Sequence, residues 1–276
     1  MSAVNSRLDD AVKYLSERNY PQAHQCCVEV IKQAGPHPHA YFLLGMLHIE
    51  IGQVDKAIAL LNKSNDIELR PITFAYLAKC HALKGDMPQA LDCAASAPVD
   101  ELSRALDLDT VGVSLSRVGL HEKAVGYFTK ALDIAPSNPQ FNYNFAVSAK
   151  FAGNFKVARE HFERAIKHAP DFYQAHFALS DLGGISEANN HLKQLSQLEE
   201  KVQAQPEGRL HIGHALAKEH EALGQFDKAF EALVHAKLPH KQRSVNTLSD
   251  YQSIRSEERR VGKSVDLGGR RIIKKK

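Results

Sequence analysis

The sequence holds 276 residues with 35 Lys and Arg against 32 Asp and Glu, a formal net charge of +3, and it is 43% hydrophobic and 24% charged. That balance is ordinary for a folded chain and excludes disorder throughout; with no Trp and only 7% aromatic residues, an aromatic platform for nucleic acid or carbohydrate is disfavoured. The charge is also uneven: residues 255–276 carry nine basic and three acidic side chains, a net +6, which leaves residues 1–254 at −3, so the basic excess says nothing about the body of the chain.

Met1 to Asp10 contains no apolar core of a secretory signal. No stretch approaches the roughly 18 apolar residues of a membrane span. A cytoplasmic protein without membrane contact is therefore expected. The four cysteines are Cys26, Cys27, Cys80 and Cys93. Adjacent Cys26 and Cys27 cannot readily bridge each other and no C-x-x-C occurs, so all four read as buried, reduced thiols.

From the N-terminus onward the chain repeats itself. Ala23, Ala57, Ala90, Ala124 and Ala158 follow one another at steps of 34, 33, 34 and 34 residues. Twelve residues before each stands another small residue: Ala11, Gly45, Ala78, Gly112 and Ala146. Gly52, Gly85, Gly119 and Gly153 lie seven residues after four of these. Leu44, Leu77, Val111 and Phe145 supply an apolar residue just before the small one. Leu61, Phe128 and Phe162 recur four residues after the Ala. Pro136 and Pro170 close two of the units.

This pattern resembles the tetratricopeptide repeat (TPR). The resemblance implies an all-α fold, a right-handed TPR solenoid of antiparallel helix pairs. Each unit is then two helices that approach closely where both carry a small residue. The Gly ends the first helix in a left-handed conformation, and the Pro stops the second. One unit cannot bury its own faces, so units must stack.

The sixth unit starts regularly at Ala175–Ser180 and then departs. Leu182-Gly183-Gly184-Ile185 interrupts it, and Leu192 stands where a small residue is due. An amphipathic helix is expected over His191–Val202, through Leu192, Leu195, Leu198 and Val202, ended by Pro206-Glu207-Gly208. A last unit follows with Leu216, Ala217, Gly224, Ala229, Leu233 and Ala236. The expected organisation is units one to five with the first helix of unit six over 1–182, an irregular helical insert over 183–208, a last unit over 209–240 and a linker over 241–254.

The stretch 183–240, with its Leu- and Glu-rich helix, Leu210–Lys218 and Glu221–Phe230, is similar to the N-terminal arm of bacterial TPR–sulfotransferase proteins. The resemblance implies that the arm presents a peptide or protein acceptor to a following transferase domain. The sulfuryl donor PAPS would be held there by a Gly-Pro-Arg-Ser-Gly-Thr-Thr-like loop at a helix N-terminus. No such loop occurs in 1–276, so no cofactor is expected in this chain. The other reading of the same residues is a stand-alone cytoplasmic TPR adaptor for complex assembly.

Gly262-Lys263-Ser264 invites a P-loop reading, but the position five residues before Gly262 is Glu257 and no apolar strand precedes it. The run from Arg255 to Ile273 instead reads as a translated sequencing-library adapter with one frame shift, followed by Lys274 to Lys276. Residues 255–276 are therefore expected to be non-biological, with the true gene cut at about residue 254.

No Ser/His/Asp or Cys/His arrangement can be assembled, and no H-E-x-x-H is present; His211, His214 and His220 lack a third convergent ligand. No catalytic residue and no metal are expected. His48, His81 and His220 share the eleventh repeat position, which points to packing within the repeat. The functional surface expected of such an array is the concave groove lined by the first helix of each unit. Its fifth and ninth repeat positions give Phe42, Met46, Lys79, Asp109, Tyr143, Val147, Phe177 and Asp181. Leu8 and Val12 stand where chaperone-binding TPR domains carry Lys and Asn, so that carboxylate clamp is missing. The expected partner is a protein or peptide with apolar anchors, with no nucleic acid and no membrane.

Overall fold

The computed structural model describes residues 3–238, and the expected linker 241–254 and tail 255–276 lie outside the described residues. Among the described residues no strand occurs; one isolated bridge pairs Ser186 with Asn189. The helices are α1 (Ala3–Ser16), α2 (Tyr20–Ala34), α3 (Pro38–Glu50), α4 (Val54–Ile67), α5 (Pro71–Lys84) and α6 (Met87–Ala95). After a 3-10 turn at Val99–Glu101 come α7 (Ala105–Arg117), α8 (His121–Ile134), α9 (Pro139–Phe151) and α10 (Phe155–His168). Then follow α11 (Tyr173–Asp181), α12 (Leu192–Lys201), α13 (Pro206–Ala222) and a helical run over 226–238, α14. The chain forms two compact units, Met1–Pro170 and the residues from Asp171 onward.

The first unit is five helical hairpins. Each second helix packs on its own first helix, and α2, α4, α6 and α8 pack also on the first helix of the next hairpin. The first helices also touch in succession, α1 to α3, α3 to α5, α5 to α7 and α7 to α9. They therefore form a continuous row, and one face of that row is the surface on which the groove residues stand.

The small residues explain why the hairpins close so tightly. Ala11, Ala78 and Ala146 on first helices, and Ala23, Ala57, Ala124 and Ala158 on second helices, are fully buried. At Gly45 a Cβ would lie 2.7 Å from Leu61, and at Gly112 it would lie 2.7 Å from the Phe128 ring. Leu61, Phe128 and Phe162 fill that space and are themselves fully buried. Burial of each such side chain contributes about 1.5–3 kcal/mol.

The hairpin turns need a left-handed residue. Gly52, Gly85, Gly119 and Gly153 adopt φ of 75°, 74°, 83° and 80°. In the first hairpin the same place is held by Arg18 at φ 56°, the one non-glycine residue with positive φ among the described residues. A side chain there strains the backbone by about 1–2 kcal/mol. Arg18→Gly therefore raises stability by about 1 kcal/mol, after allowance for the greater freedom of glycine in the unfolded chain. Thermal melting reads it, and an unchanged or lowered midpoint would contradict the strain.

Unit three is shortened at its second helix. α6 has nine residues and gives way at Ser96-Ala97-Pro98, because Pro cannot continue the helix. The Tyr127 hydroxyl on α8 reaches back across the gap between the carbonyls of Ala94 and Ala97, 3.2 and 3.1 Å away, and serves the orphaned end of α6.

The second unit is built differently. α11 packs along α13, and α12 packs on α13 with little contact to α11. Leu192, which takes the place of the small residue, is consistent with this, because a bulky side chain there stops α12 folding back closely on α11. Pro206 opens α13 at its first residue, so the Pro206-Glu207-Gly208 signal marks a helix start as well as the stop expected from sequence. Leu195, Leu198, Val202, Ile212 and Leu216 form the core, with Tyr173, Phe177 and Leu192 packed around it. The loop between α11 and α12 turns through Gly183 and Gly184 at φ 77° and 70°.

Candidate functional site

The groove face of the first unit holds two concavities. The proximal one, about 340 Å³, lies where α1, α3, α5 and α7 come together. Its walls include Val12, Met46, Ile72 and Leu106, with Arg70 and Arg104 beside them. Val12 and Leu106 are 47% and 50% exposed, unusual for apolar side chains on an inner helix row. The distal one, about 450 Å³, lies between α7 and α9 and is walled by Val113, Tyr143, Asn144, Val147 and Phe151. Phe151 is 66% exposed and stacks on His121 with ring centres 4.6 Å apart.

The expected groove residues do not all behave alike. Met46 lines the proximal pocket, and Tyr143 and Val147 line the distal one. Phe42 lines the proximal pocket from beneath, is only 3% exposed and belongs to the core. Tyr76 packs edge-on against it at 5.3 Å, and the Arg70 guanidinium lies 5.5 Å above the ring. The cover comes from the following repeat, which no pattern within one repeat reveals. Phe42 forms part of the pocket floor, with little of its ring open.

Lys79 and Asp109 sit on the neighbouring helices α5 and α7. Lys79 Nζ lies 4.0 Å from Glu50, the outer limit of an ion pair. Asp109 is buried and accepts both its contacts from Asn144 Nδ2, at 3.0 and 3.1 Å. Burial pushes its carboxyl up to about 6, against the opposing pull of Asn144 and the Lys79 charge. A carboxyl raised above its unfolded value favours the folded state in its protonated form. Its contribution to stability is therefore greatest in acid and is lost as the pH rises through the interval from about 4 to about 6. Asp109→Asn is expected to raise stability by about 1–3 kcal/mol above pH 7 and by nothing near pH 4. Denaturant titrations at the two pH values check both the size and the sign.

Phe177 and Asp181 fall in the second unit. Phe177 meets the rings of His211 and His214 edge-on at 6.1 and 5.9 Å. Asp181 lies 3.5 Å from Lys218. They form a small aromatic and ionic patch on α11 and α13 of that unit.

The eleventh-position histidines have one recurrent partner each. His48 Nδ1 is 3.1 Å from Gln53, His220 Nδ1 is 2.9 Å from Gln225, and His81 Nδ1 is 3.4 Å from Asp86. In each case the neighbour is the residue just before the second helix; the His48 and His220 imidazoles tie their hairpin turns by hydrogen bonds, while His81 Nδ1 only lies near Asp86. Among the described residues no group of three His, Cys, Asp or Glu side chains is placed to hold a metal ion.

Ser180, His191 and Glu219 come together in the second unit, yet not in a catalytic order. The Ser180 hydroxyl donates to Glu219 at 3.0 Å, and the His191 Nδ1 faces the same carboxylate at 2.8 Å. The carboxylate stands between the hydroxyl and the imidazole, so the imidazole does not take the serine proton. The cluster is a lock on the loop between α11 and α12.

Sequence reasoning missed three basic residues at the starts of first helices. His37, Arg70 and Arg104 precede α3, α5 and α7. Their signal was the same 33- and 34-residue step, read at a position outside the helices that the fifth- and ninth-position rule searches.

The tetratricopeptide-repeat family profile matches residues 5–67 and 143–183. The matched segments and the all-helical architecture together give the chain the helical solenoid fold of tetratricopeptide-repeat proteins. The C-terminal part of a TPR repeat-containing protein from Cytophaga hutchinsonii superposes with a TM-score of 0.55 at 14% identity, over 87% of this chain and 98% of that one. A tetratricopeptide repeat protein from Parabacteroides merdae gives 0.52 at 15% identity, over 85% and 92%. PilW, a widely conserved type IV pilus biogenesis factor, gives 0.58 at 18% identity, over 72% and 92%. At these identities the likeness is one of fold. No curated protein sequence matches the chain.

Proposed function

We propose that the protein is a non-catalytic interaction scaffold whose first unit takes a peptide along the row of first helices. The observation that carries this is the pair of concavities on that row, each with a large apolar side chain left open: Leu106 in one and Phe151 in the other. Exposed apolar surface in a rimmed groove is the usual mark of a protein-binding site. The thiols suit a reducing compartment, which supports a cytoplasmic setting: Cys26, Cys27 and Cys80 are buried, and burial raises all four thiols above their usual range. No described helix is long and apolar enough to cross a membrane.

Selection from a phage-displayed random peptide library on the immobilised chain tests the groove. Peptides enriched by the chain and lost on Leu106→Asp with Phe151→Asp support it. Both positions are solvent-exposed, so the fold survives the change and melting confirms it. Enriched peptides that bind the double variant equally well would place the site elsewhere.

The finer reading is that this scaffold is the arm of a TPR–sulfotransferase, with PAPS and the transfer chemistry belonging to a separate domain. Its support is the resemblance carried by 183–240. The stand-alone adaptor is the rival. Reading the gene past codon 254 separates them: a strand, a Gly/Ser/Thr-rich loop and a helix support the first, and a prompt stop codon supports the second.

A further inference from the structure

Three successive first helices of unit one open on a basic side chain. His37, Arg70 and Arg104 each hold the residue before the helix, and none caps that helix with its own side chain. Side chains one repeat apart stand side by side along a solenoid, so these form a basic row, and Arg70 and Arg104 sit on the wall of the proximal pocket. His39, on the same wall, registers the field. Burial first, and then the positive charge of Arg70, His37 and Arg104, holds its imidazole below the usual range, with Asp9 opposing.

Arg70 is the least satisfied of these groups. Its Nε and Nη2 are buried without a hydrogen-bond acceptor, and the Glu68 carboxylate comes no nearer than 4.0 Å. The guanidinium carbon lies 5.5 Å from the centre of the Phe42 ring. A guanidinium so weakly neutralised within the fold favours a carboxylate at the part of it that reaches the pocket wall. Arg104 has Asp107 at 3.3 Å and is otherwise largely in solvent. The one acidic residue on the pocket wall is Glu50, and it lies nearest Lys79. Below the arginines the wall turns apolar, with Val12, Met46 and Leu106 open to the cavity.

We propose that the proximal pocket recognises an acidic–apolar peptide segment. An internal Asp or Glu side chain pairs with the Arg70 guanidinium where it reaches the pocket wall, with Arg104 alongside. A neighbouring Leu, Met or Phe side chain covers Val12, Met46 and Leu106. The inference rests on the groove reading above and specifies its ligand.

The test begins with the peptides selected from the same phage library. Enrichment of Asp or Glu within a few residues of Leu, Met or Phe is expected. The consensus peptide, made with acetylated and amidated ends and a fluorescent label, is then titrated by polarisation. Arg70→Gln weakens binding by about tenfold or more, the scale of a buried charge-assisted hydrogen bond. Changing the peptide acid to its amide weakens wild-type binding equally and leaves Arg70→Gln binding almost unchanged. Arg70→Lys keeps the charge but not the fork and recovers only part of the affinity; melting of all variants verifies the fold, and Arg104→Gln provides a second, exposed test of the same row.

Selected peptides without acidic enrichment overturn the proposal, as does equal affinity of the wild type and both glutamine variants. Binding that requires a free C-terminus overturns it in favour of a terminal carboxylate. Arg70-dependent binding of a single-stranded RNA oligomer, with no acidic enrichment among peptides, replaces it with phosphate recognition. Failure to select any peptide instead removes the groove reading itself.

Discussion

Gly112→Ala destabilises the first unit by about 1–3 kcal/mol, although it replaces glycine by the best helix former. The added Cβ would stand 2.7 Å from one Phe128 ring carbon and 2.9 Å from two others. The ring cannot swing away easily, since it is fully buried and meets Phe145 edge-on at 6.5 Å. Phe128→Ala alone costs about 3–5 kcal/mol by leaving a cavity between α7 and α8. The double variant is expected to cost less than the two single changes added, by about 1–2 kcal/mol, because the new methyl group enters space that the ring has left. Repeat arrays open unit by unit, so hydrogen exchange at the amides of α7 and α8 is the sharper measurement beside global unfolding. Strict additivity would show that Gly112 and Phe128 do not interlock.

That interlock is the part of the fold most open to a reader of the sequence. The 33- and 34-residue steps of small residues locate the contact within each hairpin of the first unit, and the glycines at positive φ locate four of its five hairpin turns. Both are backbone requirements: two helix axes can approach only where side chains are small, and a left-handed turn is comfortable only for Gly. The groove was less legible. The fifth repeat position does place residues on the inner helix row, but their exposure depends on what the next repeats lay over them. Phe42 is covered by Tyr76 and Arg70, both from the following hairpin. Val12 is itself a ninth-position residue, whereas Leu106, 50% exposed on the same pocket wall, stands outside the fifth and ninth positions.

The basic row was hidden for another reason. Residues before a helix are expected to be Ser, Thr, Asp or Asn acting as caps, as Asn138 does for α9 by accepting from the Phe141 amide at 3.1 Å. His37, Arg70 and Arg104 look like poor caps when each is read alone. Read one period apart they are a charged edge, and Arg70 and Arg104 stand on the wall of the proximal pocket. The regular residues of this array build the scaffold, and the irregular ones set the charge of its pocket wall.

Glu219→Ala is expected to destabilise the second unit by about 3 kcal/mol or more, with Glu219→Gln somewhat milder. In sequence this residue is one more glutamate on a polar helix. In the structure it is fully buried and accepts from the Ser180 hydroxyl, the His191 backbone amide and the His191 ring. Its charge is satisfied by groups 28 and 39 residues distant in the chain. Burial alone would raise its carboxyl, but the contacts from His191 and Ser180 outweigh that and hold it below the usual range. A carboxyl depressed in the folded state stabilises above its unfolded value and ceases to do so as the pH falls through the folded one. The second unit should therefore soften below about pH 4.5. Alanine leaves three donors facing nothing. Glutamine still accepts through its oxygen but turns an amide N–H toward at least one donor. The loss should appear first in the loop 182–191, whose return to α13 depends on this carboxylate. Hydrogen exchange across that loop, corrected for the intrinsic pH dependence and followed from pH 7 downward in wild type and in Glu219→Gln, resolves the two effects. The variant should lack protection throughout, and the wild type should lose it only as the pH falls through the depressed folded value of Glu219; protection of the loop in the variant equal to wild type would mean that the carboxylate is not its anchor.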